Sequence, residues 1–334
     1  MGIAALLPIE RVSAQAPAQN PRRIDVHHHY VSSAWMAALE KYYPDHHFPG
    51  LDTFKQWSAA AAIEAMDKGG VANAALSTTT PGIWFGDDAQ ARGLARDMND
   101  YGAKLVADHK GRFGLFAVLP LPDVEASLRE IEYGFETLKA DGISVLSSYG
   151  TKWLGDPSFA PVWDELNRRK AVVFSHATAP DCCKSLMPNL DPTTIEFNTD
   201  TSRTIVSLIQ SGTASRCPDI RFIFSHAGGT IPSLAGRYLQ AQAAPAKLDA
   251  PAEPDSKLDH LRRFYYDTAG SANPVQMVSL KMIVPTSQIL FGTDFPWGDP
   301  SRIAQGLMGC GFTAEELRGI DRENALRLLP RFKA

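Results

Sequence analysis

The sequence predicts a closed (β/α)8 barrel, and three observations carry that prediction. Eight short apolar runs alternate with longer segments of helical period from residue 22 onward. The runs are almost continuously apolar, as strands buried on both faces must be. No linker-like stretch divides residues 22–334, a length that suits one barrel with insertions. An open doubly wound sheet is the competing arrangement, but no GxGxxG follows the first run.

The runs are Arg23–Val26, Ala72–Leu76, Phe113–Leu119, Gly142–Leu146, Ala171–Phe174, Arg221–Phe224, Phe264–Asp267 and Gln288–Gly292. Between them, Val124, Leu128, Ile131, Phe135 and Leu138 recur every three or four residues and form one helix face. Asp123 is placed to cap that helix. Phe159, Val162, Trp163 and Leu166 form a second such face, opened by Asp156-Pro157-Ser158. Phe54, Trp57 and Ala61 are expected to start a third helix, ended by Gly69-Gly70.

Two insertions follow strands. Residues 30–52, after the first, hold Tyr30, Trp35, Tyr42, Tyr43, His46, His47 and Phe48; residues 178–200, after the fifth, hold Pro180, Cys182, Cys183, Pro188 and Pro192. Such loops lie over the C-terminal mouth of a barrel, where active sites are built. The Ala- and Pro-rich stretch 242–254 reads as a connector. Residues 1–21 stand apart from the barrel domain, 22–334. They read either as a flexible extension or as the remnant of an export signal, because Ala14-Gln15-Ala16 resembles a cleavage site without a basic n-region before it. The first reading places the chain in the cytoplasm and the second in the periplasm.

Composition narrows the function. With 33 Lys+Arg against 37 Asp+Glu, the net charge is −4. That balance lacks the basic footprint of a nucleic-acid binder. No apolar run approaches the ~20 residues of a membrane-spanning helix. Four cysteines without a CxxC argue against a disulfide framework or a zinc knot and read as buried or loop thiols.

Histidine carries the chemical signal. His27, His28 and His29 end the first strand, and strand alternation sends His27 and His29 to one side and His28 to the other. The fifth strand ends Phe174-Ser175-His176, the sixth Phe224-Ser225-His226, and the eighth Phe291-Gly292-Thr293-Asp294. A barrel brings these strand ends together, and imidazole with carboxylate is a metal-ligand set. His46 and His47 are lid candidates. His109 and His260 are assigned to ordinary structure.

These motifs resemble the amidohydrolase superfamily, in its branch of aminocarboxymuconate-semialdehyde decarboxylase-like enzymes. The matching pieces are Ile24-Asp25-Val26-His27-His28-His29, Ser175-His176, Ser225-His226-Ala227-Gly228-Gly229 and Phe291-Gly292-Thr293-Asp294-Phe295-Pro296. Leu154-Gly155-Asp156-Pro157 and Tyr266-Asp267-Thr268-Ala269 look most like members related to methylsalicylate decarboxylase. The resemblance implies a metal-dependent TIM barrel in which His27, His29, His176 and Asp294 hold one divalent ion, zinc ahead of manganese. It implies His226 and Asp294 as catalytic residues. It also implies that Arg237 reaches a neighbouring subunit's substrate in a homodimer. The fourth strand ends Leu146-Ser147-Ser148, without the lysine that bridges two metals in some members, so one ion is expected. No arginine falls between Arg23 and Arg92, which argues against aminocarboxymuconate itself.

The expected activity is non-oxidative decarboxylation of a small aromatic or muconate-type carboxylic acid. Trp35, Trp84, Phe85 and Trp297 are the candidates to wall a flat substrate pocket. The alternative is hydrolysis of an amide, lactone or ester by the same metal-activated water. A barrel that binds metal without turnover is the third reading.

Overall fold

The structure, a computed structural model, describes residues 22–43, 50–240 and 251–333. The expectations placed on 1–21, on His46, His47 and Phe48, and on most of 242–254 lie outside the described residues.

All eight apolar runs form strands: β1 (Arg23–His29), β2 (Val71–Ser77), β3 (Phe113–Val118), β4 (Gly142–Leu146), β5 (Val172–His176), β6 (Arg221–Phe224), β7 (Tyr265–Asp267) and β8 (Ile289–Leu290). They pair in parallel in sequence order. β8 spans two residues, yet the chain after it runs on beside β1 and closes the ring. Across this seam Val26 N–H donates to Phe291 O (3.0 Å), Asp294 N–H to His27 O (2.9 Å) and His29 N–H to Phe295 O (2.9 Å). Helices connect successive strands, the arrangement that buries a parallel sheet on both faces.

Two apolar layers follow. Ile24, Val26, Phe116, Phe174, Ile223 and Leu290 fill the barrel interior, and Leu328 and Phe332 of the C-terminal segment pack against them. Outward residues such as Leu76, Leu115, Val173 and Phe222 join the layer beneath the helices. One irregularity matters for the site. β1 carries an extra residue against β2 between Asp25 and His28. Val26 therefore packs with the interior cluster while the next side chain, His27, also turns inward, its ring centroid 5.0 Å from that of Phe174. A bulge re-aims side chains in this way.

The expected helix starts hold where a polar cap was readable. Asp123 accepts from Ala126 N and opens the helix Val124–Glu132, which continues as a π turn to Thr137. Asp156 accepts from Ser158 N ahead of the helix Ala160–Arg168. The third helix differs. Phe54 lies in a short helix, Leu51–Lys55, and Ser58 accepts from Ala61 N to start a second one, Ala59–Lys68. The Ser58 cap competes successfully with continuing the apolar pattern through Trp57. Cys182 and Cys183 are joined by a disulfide, which corrects their reading as loop thiols, whereas Cys217 and Cys310 are free and buried.

Candidate metal centre

The ends of five strands converge at the C-terminal mouth. β1 supplies His27 and His29, β5 His176, the segment after β6 His226, β7 Asp267, and the segment after β8 Asp294. One ligand atom each from His27, His29, His176 and Asp294 lie within 4.8 Å of one another. The Nε2 atoms of His27 and His29 are 3.0 Å apart. Asp294 Oδ1 is 3.1 Å from His27 Nε2, 3.0 Å from His29 Nε2 and 3.9 Å from His176 Nε2.

The far side of each ring is fixed. His27 Nδ1 meets Asp267 Oδ2 at 2.8 Å, His176 Nδ1 donates to Ala177 O at 2.7 Å, and His29 Nδ1 lies 3.3 Å from Ser77 O. A ring held through Nδ1–H presents the lone pair of Nε2, the second-layer arrangement usual for metal-bound imidazole. His176 Nε2 is buried without a hydrogen-bond partner. An orphaned acceptor beside two imidazoles and a carboxylate fits a divalent ion of zinc or manganese type.

Electrostatics agree with that fit. Burial resists a charge on His27, but Asp267 and Asp294 outweigh it and raise its pKa to about 10. Burial lowers His29 to about 4 and holds His176 well below its ordinary value. Burial would raise Asp294, yet His27 above all holds its carboxyl well below the usual range. In the metal-free chain a proton on His27 thus takes the place of a cation. Its stabilisation is complete below the unfolded value of 6.5 and is lost as pH rises through about 10. His27 must shed that proton to coordinate. Metal uptake near neutral pH should therefore release about one proton per ion, and affinity should climb about tenfold per pH unit. Calorimetry in buffers of different ionisation heat counts the proton; a pH-independent affinity is the contrary result.

Backbone strain marks the same place. His226, Ala227 and Asp294 have φ of 54°, 58° and 64°. For non-glycine residues such values cost on the order of 1–3 kcal/mol each and gather at functional sites. Hydrogen bonds hold them: His226 N–H donates to Asp267 Oδ1 (3.0 Å), and Asp294 O accepts from Trp297 N (2.9 Å) and Gly298 N (3.0 Å). Gly292 lets two strands approach, because a Cβ there would lie 2.8 Å from Asp267 Cβ and 3.0 Å from His27 Cβ.

Above these groups opens a cavity of about 750 Å³. His176, His226 and Asp294 line it, with Trp84, Phe85 and Trp297 from the expected wall and Tyr42, Tyr43, Tyr149 and Phe197 besides. His226 Nε2 stands 3.5 Å from Asp294 Oδ2, and its Nδ1 has no partner. One expected contact sits elsewhere. Trp35 is buried in the outer apolar layer, its Nε1–H donated to Gly82 O (2.8 Å), and does not line the cavity. The N-cap at Ser32 turns it into a helix that packs Trp35 on Phe54. Arg237 is exposed on the helix Ile231–Tyr238 and does not line its own chain's cavity.

His28 turns away, as alternation required. It stacks on Phe295 with centroids 4.6 Å apart and meets Asp25 Oδ2 at 2.9 Å. Asp25 and Asp267 were not singled out as working residues, although both are fully buried carboxylates in apolar strands, a signal visible in sequence. Asp25 ties β1 to the last ligand's segment by accepting from His27 N and Thr293 N, each at 3.0 Å. Asp267→Asn should weaken metal affinity about 10–100-fold with the fold intact, because it loosens the His27 ring without removing a ligand. Competition against a chromophoric chelator measures this; unchanged affinity would assign Asp267 to structure alone.

A parallel barrel with three imidazoles and a carboxylate converging at its C-terminal mouth defines the class of metal-dependent barrel enzymes. Within that class, the chain belongs to the amidohydrolase family, whose profile matches residues 24–331. It is 39% identical to the decarboxylase yanB of Aspergillus niger, over 93% of this chain and 88% of that protein. It is 35% identical to the 6-methylsalicylic acid decarboxylase acuB of Aspergillus aculeatus, over 93% of this chain and 97% of that one. Among solved structures, it superposes on a dihydroxybenzoic acid decarboxylase of Polaromonas sp. with a TM-score of 0.78 at 22% identity, covering 93% of this chain and 98% of that one. That protein was solved with bound manganese and the inhibitor 2-nitroresorcinol.

Proposed function

We propose that this chain is a metal-dependent, non-oxidative decarboxylase of a small aromatic carboxylic acid. The observation that carries the reading is the placement of His27, His29, His176 and Asp294 beneath an aromatic-walled cavity. The curated decarboxylase relatives support the reaction class. These four residues would hold one divalent ion, with zinc preferred by the nitrogen-rich donor set and manganese second. When bound, such an ion would supply Lewis-acid stabilisation of negative charge on the substrate.

The remaining work falls to side chains. Trp84, Phe85 and Trp297 clamp a flat ring and exclude water. Decarboxylation leaves the electron pair of the broken C–C bond on the ring carbon, which takes up one proton as CO2 departs. Asp294 turns Oδ1 to His27 and His29 and leaves Oδ2 facing His226. A proton held between His226 Nε2 and Asp294 Oδ2 is the one placed for delivery. Arg237, exposed on its helix, serves a partner subunit's cavity in a homodimer. Among the described residues no helix is long and apolar enough to cross a membrane.

Incubation with a panel of ortho-hydroxybenzoates, read by mass spectrometry, tests the proposal. Loss of CO2 is expected. Gain of water from an amide, lactone or ester, with every benzoate untouched, would favour the hydrolase reading.

A further inference from the structure

β4 gives way at Ser147-Ser148 to a small hairpin, Ser148–Tyr149 paired with Lys152–Trp153. This places Ser148 beside the metal-centre wall, since Ser147 N–H donates to His176 O at 2.8 Å. Ser148 lines the cavity. Behind it lies Asp200, fully buried on the helix Glu196–Gln210. Its Oδ2 accepts from Ser147 Oγ (2.6 Å) and Ser148 Oγ (2.8 Å), and its Oδ1 from Trp153 Nε1 (2.7 Å). Arg203 Nη1 stands 3.7 Å from Oδ1.

An ionised carboxylate only accepts hydrogen bonds. Asp200 therefore draws both serine protons toward itself and away from the cavity. Burial raises its carboxyl, and those three bonds with Arg203 oppose the rise. Ser147 is then satisfied, because its Oγ also accepts Thr178 N–H at 3.0 Å. Ser148 is not: among the described residues no donor meets its Oγ, so its acceptor capacity is unspent on a residue that lines the cavity.

We infer that Ser148 Oγ is a fixed hydrogen-bond acceptor for a second hydroxyl on the substrate ring, with Asp200 as the positioning residue that sets its polarity. The inference rests on the aromatic-acid reading of the cavity. It defines the substrate class further, as a dihydroxylated benzoate with one hydroxyl beside the carboxylate and another at Ser148. It also disfavours a carbonyl, ether or carboxylate at that point, where two acceptors would face each other.

The test uses metal-loaded enzyme and the four dihydroxybenzoates that keep one hydroxyl beside the carboxylate. Each is paired with the ether in which the second hydroxyl is methylated, and salicylate is the reference. Wild type should bind at least one dihydroxybenzoate about tenfold more tightly than its ether, the scale of one neutral hydrogen bond. Ser148→Ala should erase that preference and leave salicylate affinity within about twofold. Asp200→Asn, whose amide donates to Ser148, should turn the serine proton toward the cavity and shift preference toward the ether. No preference in wild type, with salicylate bound and decarboxylated, overturns this inference alone. Equal weakening of every ligand by Ser148→Ala also overturns it, since that marks a structural residue. Failure to bind salicylate or any of the panel overturns the aromatic-acid reading and this inference together.

Discussion

Replacing His27 with alanine is expected to remove metal and turnover together. Its Nε2 lies within 3.1 Å of His29 and Asp294, so it sits at the centre of the ligand set. Without it, two imidazoles and one carboxylate remain, and Asp267 Oδ2 loses its partner in the barrel interior. Wild-type protein should carry about one divalent ion per chain by elemental analysis, and the variant close to none. Activity should fall by about 10³-fold or more, the several kcal/mol that a Lewis acid contributes to charge stabilisation. Asp294→Ala should behave alike, with the further loss of the carboxylate facing His226. Far-ultraviolet circular dichroism separates this outcome from misfolding. Full activity in metal-free protein would remove the basis of the proposed mechanism.

His226→Asn is expected to give the opposite separation: metal kept, turnover lost. His226 stands outside the four-residue group and faces Asp294 Oδ2 rather than the cluster's centre. An amide of similar size fills much of the space but cannot take up and release a proton. The expected fall in kcat is about 10²–10⁴-fold, the range of a positioned general acid or base, with ion content unchanged. An unaltered kcat would leave proton delivery to Asp294 alone.

The strands were legible because burial on both faces makes them nearly pure apolar runs, and all eight stand where those runs fall. Helix starts were legible where Asp123 and Asp156 cap them, and misplaced where Ser58 splits one pattern into two helices. The gathering of His27, His29, His176 and Asp294 followed from strand ends converging in a barrel. Three features were not legible. The extra residue in β1 shows only in its register with β2. Trp35 reads as a cavity aromatic until Ser32 is seen to turn it into the core. The bonds of Asp200 to Ser147, Ser148 and Trp153 join residues about fifty positions apart, which no local pattern encodes.

The seam between β1 and the segment after β8 has a consequence for biosynthesis. His27 is synthesised long before Asp294, whose backbone N–H bonds to His27 O. A nascent polypeptide therefore contains His27 and His29 long before Asp294, their neighbour in the folded barrel, exists. The bonds that close the ring here involve Phe291, Asp294 and Phe295, all of which follow the last strand, β8. A chain truncated immediately before residue 294 would carry all eight strands and yet lack two of the three backbone bonds across the seam.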